Sequence, residues 1–327
     1  MTTEAISRYG APALGIRLFG WLNLFVLLAL LINNVLTVGF GFPGAFTAFS
    51  GGGTLAYVQL GLYAVAIAGA AFITFGQSDN ALRWEARRIS AFNAYVIRVC
   101  FFAVLFAGIA DTAIAFLRVE GMLDRFFSDE VARGMARSSW VGVYVHTPLI
   151  VLALIISLFT RTIGFHWLAL MIVVAELFIV FSRFIFSYEQ AFMGDLVRYW
   201  YAHMALFLER VGRSEEGHVR VDVLYSGFGR STKGYANAVG TILLGMTTAW
   251  IIIWIGFDGK SSIINSPVAN FEVSQSGPAG MYTKYQMAAF IGIFAITMLI
   301  EFVAYLFEAV ADSRGEAGHR EHAAVSH

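Results

Sequence analysis

The sequence predicts an all-α, polytopic transmembrane helix bundle of about eight spans, with both termini cytoplasmic. Three observations carry this: the composition, the lengths of the apolar runs, and the placement of lysine and arginine along the chain. Hydrophobic residues make up 58% of the 327 residues and charged residues only 13%, against about 25% charged residues in soluble domains. The mean hydropathy is +0.69. A span needs about 20 mostly apolar residues. Eight segments approach or meet that requirement, near residues 16–40, 54–76, 91–117, 140–159, 164–186, 195–211, 235–257 and 285–310. The sixth is the least hydrophobic. The first is too long for a signal-peptide core and carries Asn33 and Asn34, so it reads as a retained helix.

Orientation follows from the basic residues. With the N-terminus inside, fourteen of the 22 Lys and Arg residues fall in cytoplasmic segments, as the positive-inside bias requires. The uncharged 40–54 turn suits the outside. The outer segment 118–139 runs against the bias with Arg118, Arg125, Arg133 and Arg137. Part of it, 122–135, reads as an amphipathic helix on the membrane surface. Trp21, Trp84, Trp140, Trp167, Tyr235 and Tyr285 lie near span ends, as interfacial rings do. A long outer loop, 258–284, is rich in Ser, Gly, Asn and Pro; its length predicts that it has a function or is disordered. The tail 312–327 is polar and reads as disordered.

Several chemistries lack sequence support. Net charge is zero, which leaves no nucleic-acid footprint. The single cysteine, Cys100, forms neither an internal disulfide nor a zinc cluster and reads as a small buried hydrophobe. No phosphate loop, CxxC, HExxH or GxSxG motif occurs. The chain is therefore expected to be neither an enzyme nor a holder of a cofactor or metal.

Charges inside spans are costly and mark functional candidates. Asp111 in the third span, Glu176 in the fifth and Glu301 in the eighth are acids so placed. Asp111 and Arg118 are seven residues apart, as are Glu176 and Arg183, so each pair shares a helix face. The structural reading pairs each charge with a neighbouring helix; the functional reading is a proton or ion relay. His146, His166 and His203 lie in or near spans but form no pair at matching depth, so interhelical hydrogen bonds are expected rather than haem ligation.

The most informative stretch is 183–222. Arg183-Phe184-Ile185-Phe186 closes one span. Asp195 and Arg198 open the next helix, three apart on one face and where an acid complements a helix N-terminus. Gly217-His218-Val219-Arg220-Val221-Asp222 follows. On these motifs, residues from about 168 to 309 resemble the DctQ-like small membrane subunit of tripartite ATP-independent periplasmic (TRAP) transporters. The resemblance implies a four-helix unit, 161–311, with both ends cytoplasmic. It also implies a non-catalytic scaffold in the bacterial inner membrane for a large multi-span transport subunit. A periplasmic substrate-binding protein would deliver an organic acid or similar solute, and sodium would drive uptake. Arg183, Asp195, Arg198, His218, Arg220 and Asp222 are the residues it singles out for holding the subunit's shape or its partner. Residues 1–160, with about four helices, depart from that pattern as an N-terminal extension, and 312–327 is a cytoplasmic tail. Two alternatives are a self-sufficient secondary transporter or channel and a haem-binding membrane anchor of a redox complex. Pro148 is the only proline within an expected span, so matched interrupted helices, which favour a transporter, are not evident.

Overall fold

The computed structural model of the chain describes residues 7–160, 165–188, 190–214, 225, 227–274 and 279–318. The described residues are helices and connections, with no strand beyond an isolated bridge between Tyr9 and Asn80. In chain order the helices are α1 (Leu14–Phe40), α2 (Gly53–Gly76), α3 (Leu82–Val119), α4 (Leu123–Phe126), α5 (Asp129–Met135), α6 (Ser138–Phe159), α7 (Phe165–Ile185), α8 (Ala191–Ser214), α9 (Arg230–Gly256), α10 (Asn265–Ala269) and α11 (Lys284–Ser313).

Six of these are long and apolar enough to cross a bilayer: α1, α2, α3, α6, α9 and α11. This is fewer than the eight segments expected. The other two expected segments are helical as α7, whose 21 residues carry only Glu176 and Arg183 as charges and read as a span, and as α8, which carries Asp195, Arg198, Glu209, Arg210 and Arg213, too many charges for an apolar span. The helix α3 begins nine residues before the expected 91. At 38 residues it extends to about 57 Å, well beyond a hydrocarbon core of about 30 Å. Its first turns carry Arg83, Glu85, Arg87 and Arg88, which is why hydropathy alone starts it late.

By contacts the chain divides into two compact units that do not follow chain order: Met1–Asn93 with Arg220–Ile251 and Met298–His327, and Ala94–Val219 with Ile252–Thr297.

In the first unit the main fixture is Arg17 of α1, which is fully buried. Its guanidinium makes a two-pronged pair with Glu85 of α3, through Nε to Oε2 at 3.0 Å and a terminal nitrogen to Oε1 at 2.6 Å. The remaining donors reach the carbonyls of Thr74 (3.0 Å) and Ser78 (3.2 Å) at the C-terminal end of α2. Trp21 and Asn80 also donate to Glu85. A planar fork suits such a site because it fills several acceptors in fixed directions. Further along, Asn33 and Thr37 of α1 bond Gln59 of α2, whose Oε1 also accepts the Gly44 N–H at 2.8 Å.

The intramembrane acid Glu301 belongs to this unit and accepts from Ser90 and Asn93 of α3, each at 2.9 Å. Small residues set the helix spacing. A Cβ on Gly234 of α9 would lie 2.6 Å from the Ala309 carbonyl oxygen and the Ser313 nitrogen of α11, and one on Gly245 would meet the Phe302 ring at 2.8 Å. The start of the expected disordered tail is tied down here: Arg83 bonds Asp312 at 2.7 Å and the Ala317 carbonyl at 3.0 Å. Arg314 reaches the carbonyls of Ala11 and Pro12. Residues 319–327 lie outside the described residues.

In the second unit, Ile97, Phe101, Val104 and Ala107 of α3 pack with Phe192, Leu196, Tyr199 and Trp200 of α8 and with Met281 and Phe290. Cys100 is buried in this cluster. The expected amphipathic helix at 122–135 is two short ones, because Phe127 and Ser128 are extended. Its apolar side, Leu123, Ala132 and Met135, is buried against Ile114, Val141 and Tyr282.

Breaking a buried pair leaves an uncompensated charge, at a cost of about 3–5 kcal/mol. Arg17→Ala or Glu85→Ala is therefore expected to lower the thermal unfolding midpoint of the detergent-solubilised protein markedly. Arg17→Lys should fall between, since an ammonium cannot reproduce the fork.

Candidate functional site

The second unit contains a concentration of buried charge at the segment leading into α11. Residues 280–282 precede the first turn of α11, and three charged side chains hold them. Arg118, at the end of α3, donates to the Gly280 carbonyl at 2.5 Å and to the Met135 carbonyl at 3.3 Å. Asp195 of α8 accepts the Met281 N–H at 3.2 Å. Asp111 of α3 accepts the Tyr282 N–H at 2.5 Å. Both carboxylates are buried, and both stand near the N-terminus of α11, where an anion complements the helix dipole. The Arg118 guanidinium also lies 4.0 Å from the Tyr282 ring centroid, and the Tyr282 hydroxyl donates to the Ala136 carbonyl at 2.9 Å. The 111/118 spacing thus does place both side chains on one face, and they hold neighbouring peptide groups of the same segment.

Beside this clamp runs a chain of buried hydrogen bonds. Tyr199 donates to the side-chain oxygen of Gln286, and the Gln286 amide donates to the Tyr285 hydroxyl at 3.1 Å. Tyr285 sits 2.8 Å from Nδ1 of His146. The other ring nitrogen, Nε2, faces Oδ1 of Asp111 at 3.7 Å. His146 closes a π-helical segment, Gly142–His146, within α6. Such insertions aim a side chain off the regular spiral. The second histidine, His203, is buried on α8 and bonds the Tyr199 carbonyl through Nδ1. His146 and His203 therefore serve as interhelical or local hydrogen-bonding groups, as expected; the His166 side chain lies outside the described residues.

The residues singled out by the sequence fall into three groups. Asp195 is in the clamp. Arg198 is mostly exposed, with 68% of its side-chain surface open, and lies 3.8 Å from Asp195. Arg183 is exposed near the end of α7. His218, Arg220 and Asp222 lie outside the described residues. The link between α7 and α8 turns through Ser187 in the left-handed region, φ 51°. Tyr188 in this link donates to Glu120. That bond, and the repulsion between a phenolate and the carboxylate, raises the Tyr188 hydroxyl above its ordinary range. Of the other intramembrane acids, Glu301 is satisfied as described and Glu176 is exposed on α7. The outer loop, far from a free arm, is fastened by Asn265 to the carbonyls of Phe257 and Gly259, by a 2.9 Å ion pair between Glu272 and Lys284, and by the clamp. Arg118, Tyr199, Tyr285 and Gln286 are the participants that sequence reasoning did not assign to this site.

Apolar helices of spanning length, with buried charges satisfied at helix ends, define a multi-pass α-helical membrane protein. Within it, residues 170–312, a little under half of the chain, match the family model described as Tripartite ATP-independent periplasmic transporters, DctQ component. No curated protein and no solved structure matches the chain. The matched segment contains Asp195 and residues 280–286 but not Asp111, Arg118 or His146.

Charge-assisted hydrogen bonds are worth about 1.5–3 kcal/mol. Asp195→Ala is expected to speed amide hydrogen exchange at Met281, and Asp111→Ala at Tyr282, read by mass spectrometry on peptides spanning 279–286. Amides in α2 should be unchanged in both variants.

Proposed function

We propose that the chain is the small, non-catalytic scaffold subunit of a TRAP transporter in a bacterial inner membrane. It supports a large multi-span subunit that moves an organic acid or similar solute with sodium, and a periplasmic binding protein delivers that solute. The observation that carries this reading is the family match over 170–312, a segment containing the Arg183, Asp195 and Arg198 signature and extending through four helices of the expected unit. On this reading 161–311 is the family unit, 1–160 an extension and 312–327 a cytoplasmic tail. Asp195 maintains the subunit's shape, since it is buried on the Met281 amide. Arg198, with 68% of its side-chain surface open, is placed to meet a partner, and Arg183 is assigned to the same role by the signature. His218, Arg220 and Asp222 are assigned to the same role by the signature alone.

The test is affinity purification of the C-terminally tagged protein from native membranes in mild detergent, with mass spectrometry. The expected result is recovery of a second, larger polytopic protein in a fixed ratio. Recovery of this chain alone, still able to move solute in liposomes, would overturn the scaffold reading in favour of a self-sufficient transporter.

A further inference from the structure

Glu176 is the twelfth of the 21 residues of α7, which places it near the middle of an otherwise apolar helix. It is exposed and makes no hydrogen bond or ion pair among the described residues. Its helix face is otherwise apolar and open: Val173 one turn before is 60% exposed and Val180 one turn after is 47% exposed. A carboxylate in the centre of a bilayer costs about 2.5–3.5 kcal/mol or more. Near a membrane surface it would be relieved by water, but about 16 Å of helix separates it from the start of α7 and about 13 Å from the end. Arg183, on the same face, is about 10 Å further along the axis, and the two form no ion pair. Asp111 accepts the Tyr282 N–H and Glu301 accepts from Ser90 and Asn93, so both are turned to groups of this chain. Glu176 alone of the three is presented outward.

We propose that the α7 face bearing Val173, Glu176 and Val180 is the docking surface for a transmembrane helix of the large subunit, and that this helix carries a lysine or arginine at the depth of Glu176. A second copy of this chain fits poorly there, because a symmetric contact on this face would bring two carboxylates together. A basic partner turns the exposed charge into a specificity device: it rejects helices without a cation and fixes the axial register of the one that has it. The identity of the occupant rests on the function proposed above; the face and its charge do not.

The experiment uses the full-length tagged protein in native membranes, with a photocrosslinking amino acid at Val173 or Val180 and, as controls, at Val65 or Phe72 of α2. Crosslinks from positions 173 and 180 should map to a transmembrane segment of the larger copurifying subunit that contains a Lys or Arg, and should exceed those from α2. Glu176→Lys should reduce recovery of that subunit about tenfold or more, as expected for reversing one partner of a desolvated charge pair. Glu176→Gln, which keeps hydrogen-bonding groups, should reduce it less. Membrane yield of this chain should stay unchanged in both variants. Crosslinks only to lipid or to a second copy of this chain, or full recovery with Glu176→Lys, would overturn the docking face and leave the scaffold reading standing. Failure of the unaltered protein to bring down any larger subunit would overturn both.

Discussion

Away from water, every helix end and every charge must be satisfied from within the protein. The first N–H groups and last carbonyls of a helix have no partner in their own helix, and a buried charge without one is costlier still. This chain meets the two demands together. Arg17 sets its guanidinium against carbonyls at the C-terminal end of α2 while its charge is matched by Glu85 in the first turn of α3. Asp111 and Asp195 set their carboxylates against peptide N–H groups just before α11. In each case the side chain placed at the helix end has the sign that the helix dipole favours. The charges act as fasteners at the points where α-helical hydrogen bonding runs out.

This economy explains which parts were legible in the sequence. Apolar runs announce themselves because length and hydropathy are local properties, so α1, α2, α6, α9 and α11 fall close to their expected positions. Helix faces were also readable: a spacing of seven correctly put Asp111 beside Arg118, and a spacing of three put Asp195 near Arg198. Partners distant in the chain were not. Arg17 and Glu85 are 68 residues apart, and nothing local to either predicts the other; Arg17 entered the sequence reading only as one more cytoplasmic positive charge. The same holds for Tyr285, which takes its place through His146, 139 residues earlier. Where the sequence reading missed locally, the cause was also physical. The polar first turns of α3 disguised an helix that continues past the apolar zone, and the extended pair Phe127–Ser128 split an expected amphipathic helix whose buried face was nonetheless correctly apolar.

Residues before the matched segment bear on what that segment can be here. Asp111, Arg118, Ala136 and His146 all precede residue 170, where the family match begins, yet each bonds the segment 280–285 inside it. Asp195 alone supplies the clamp from within the family segment. A chain lacking Asp111, Arg118, Ala136 and His146 would leave the Gly280 carbonyl, the Tyr282 amide and the Tyr285 hydroxyl without these partners, so residues before the matched segment are built into the site.

That integration separates two uses of charge. Asp111 and Glu301 are turned inward onto groups of this chain and link its helices. Glu176 is turned outward, and its cost is met only when another molecule meets it. A protein that turns those two acids inward would gain from replacing Glu176 with leucine if the α7 face met only lipid. Its presence on that face is therefore most economically understood as the part of a charge pair that this chain contributes, with the complement residing on a neighbouring chain.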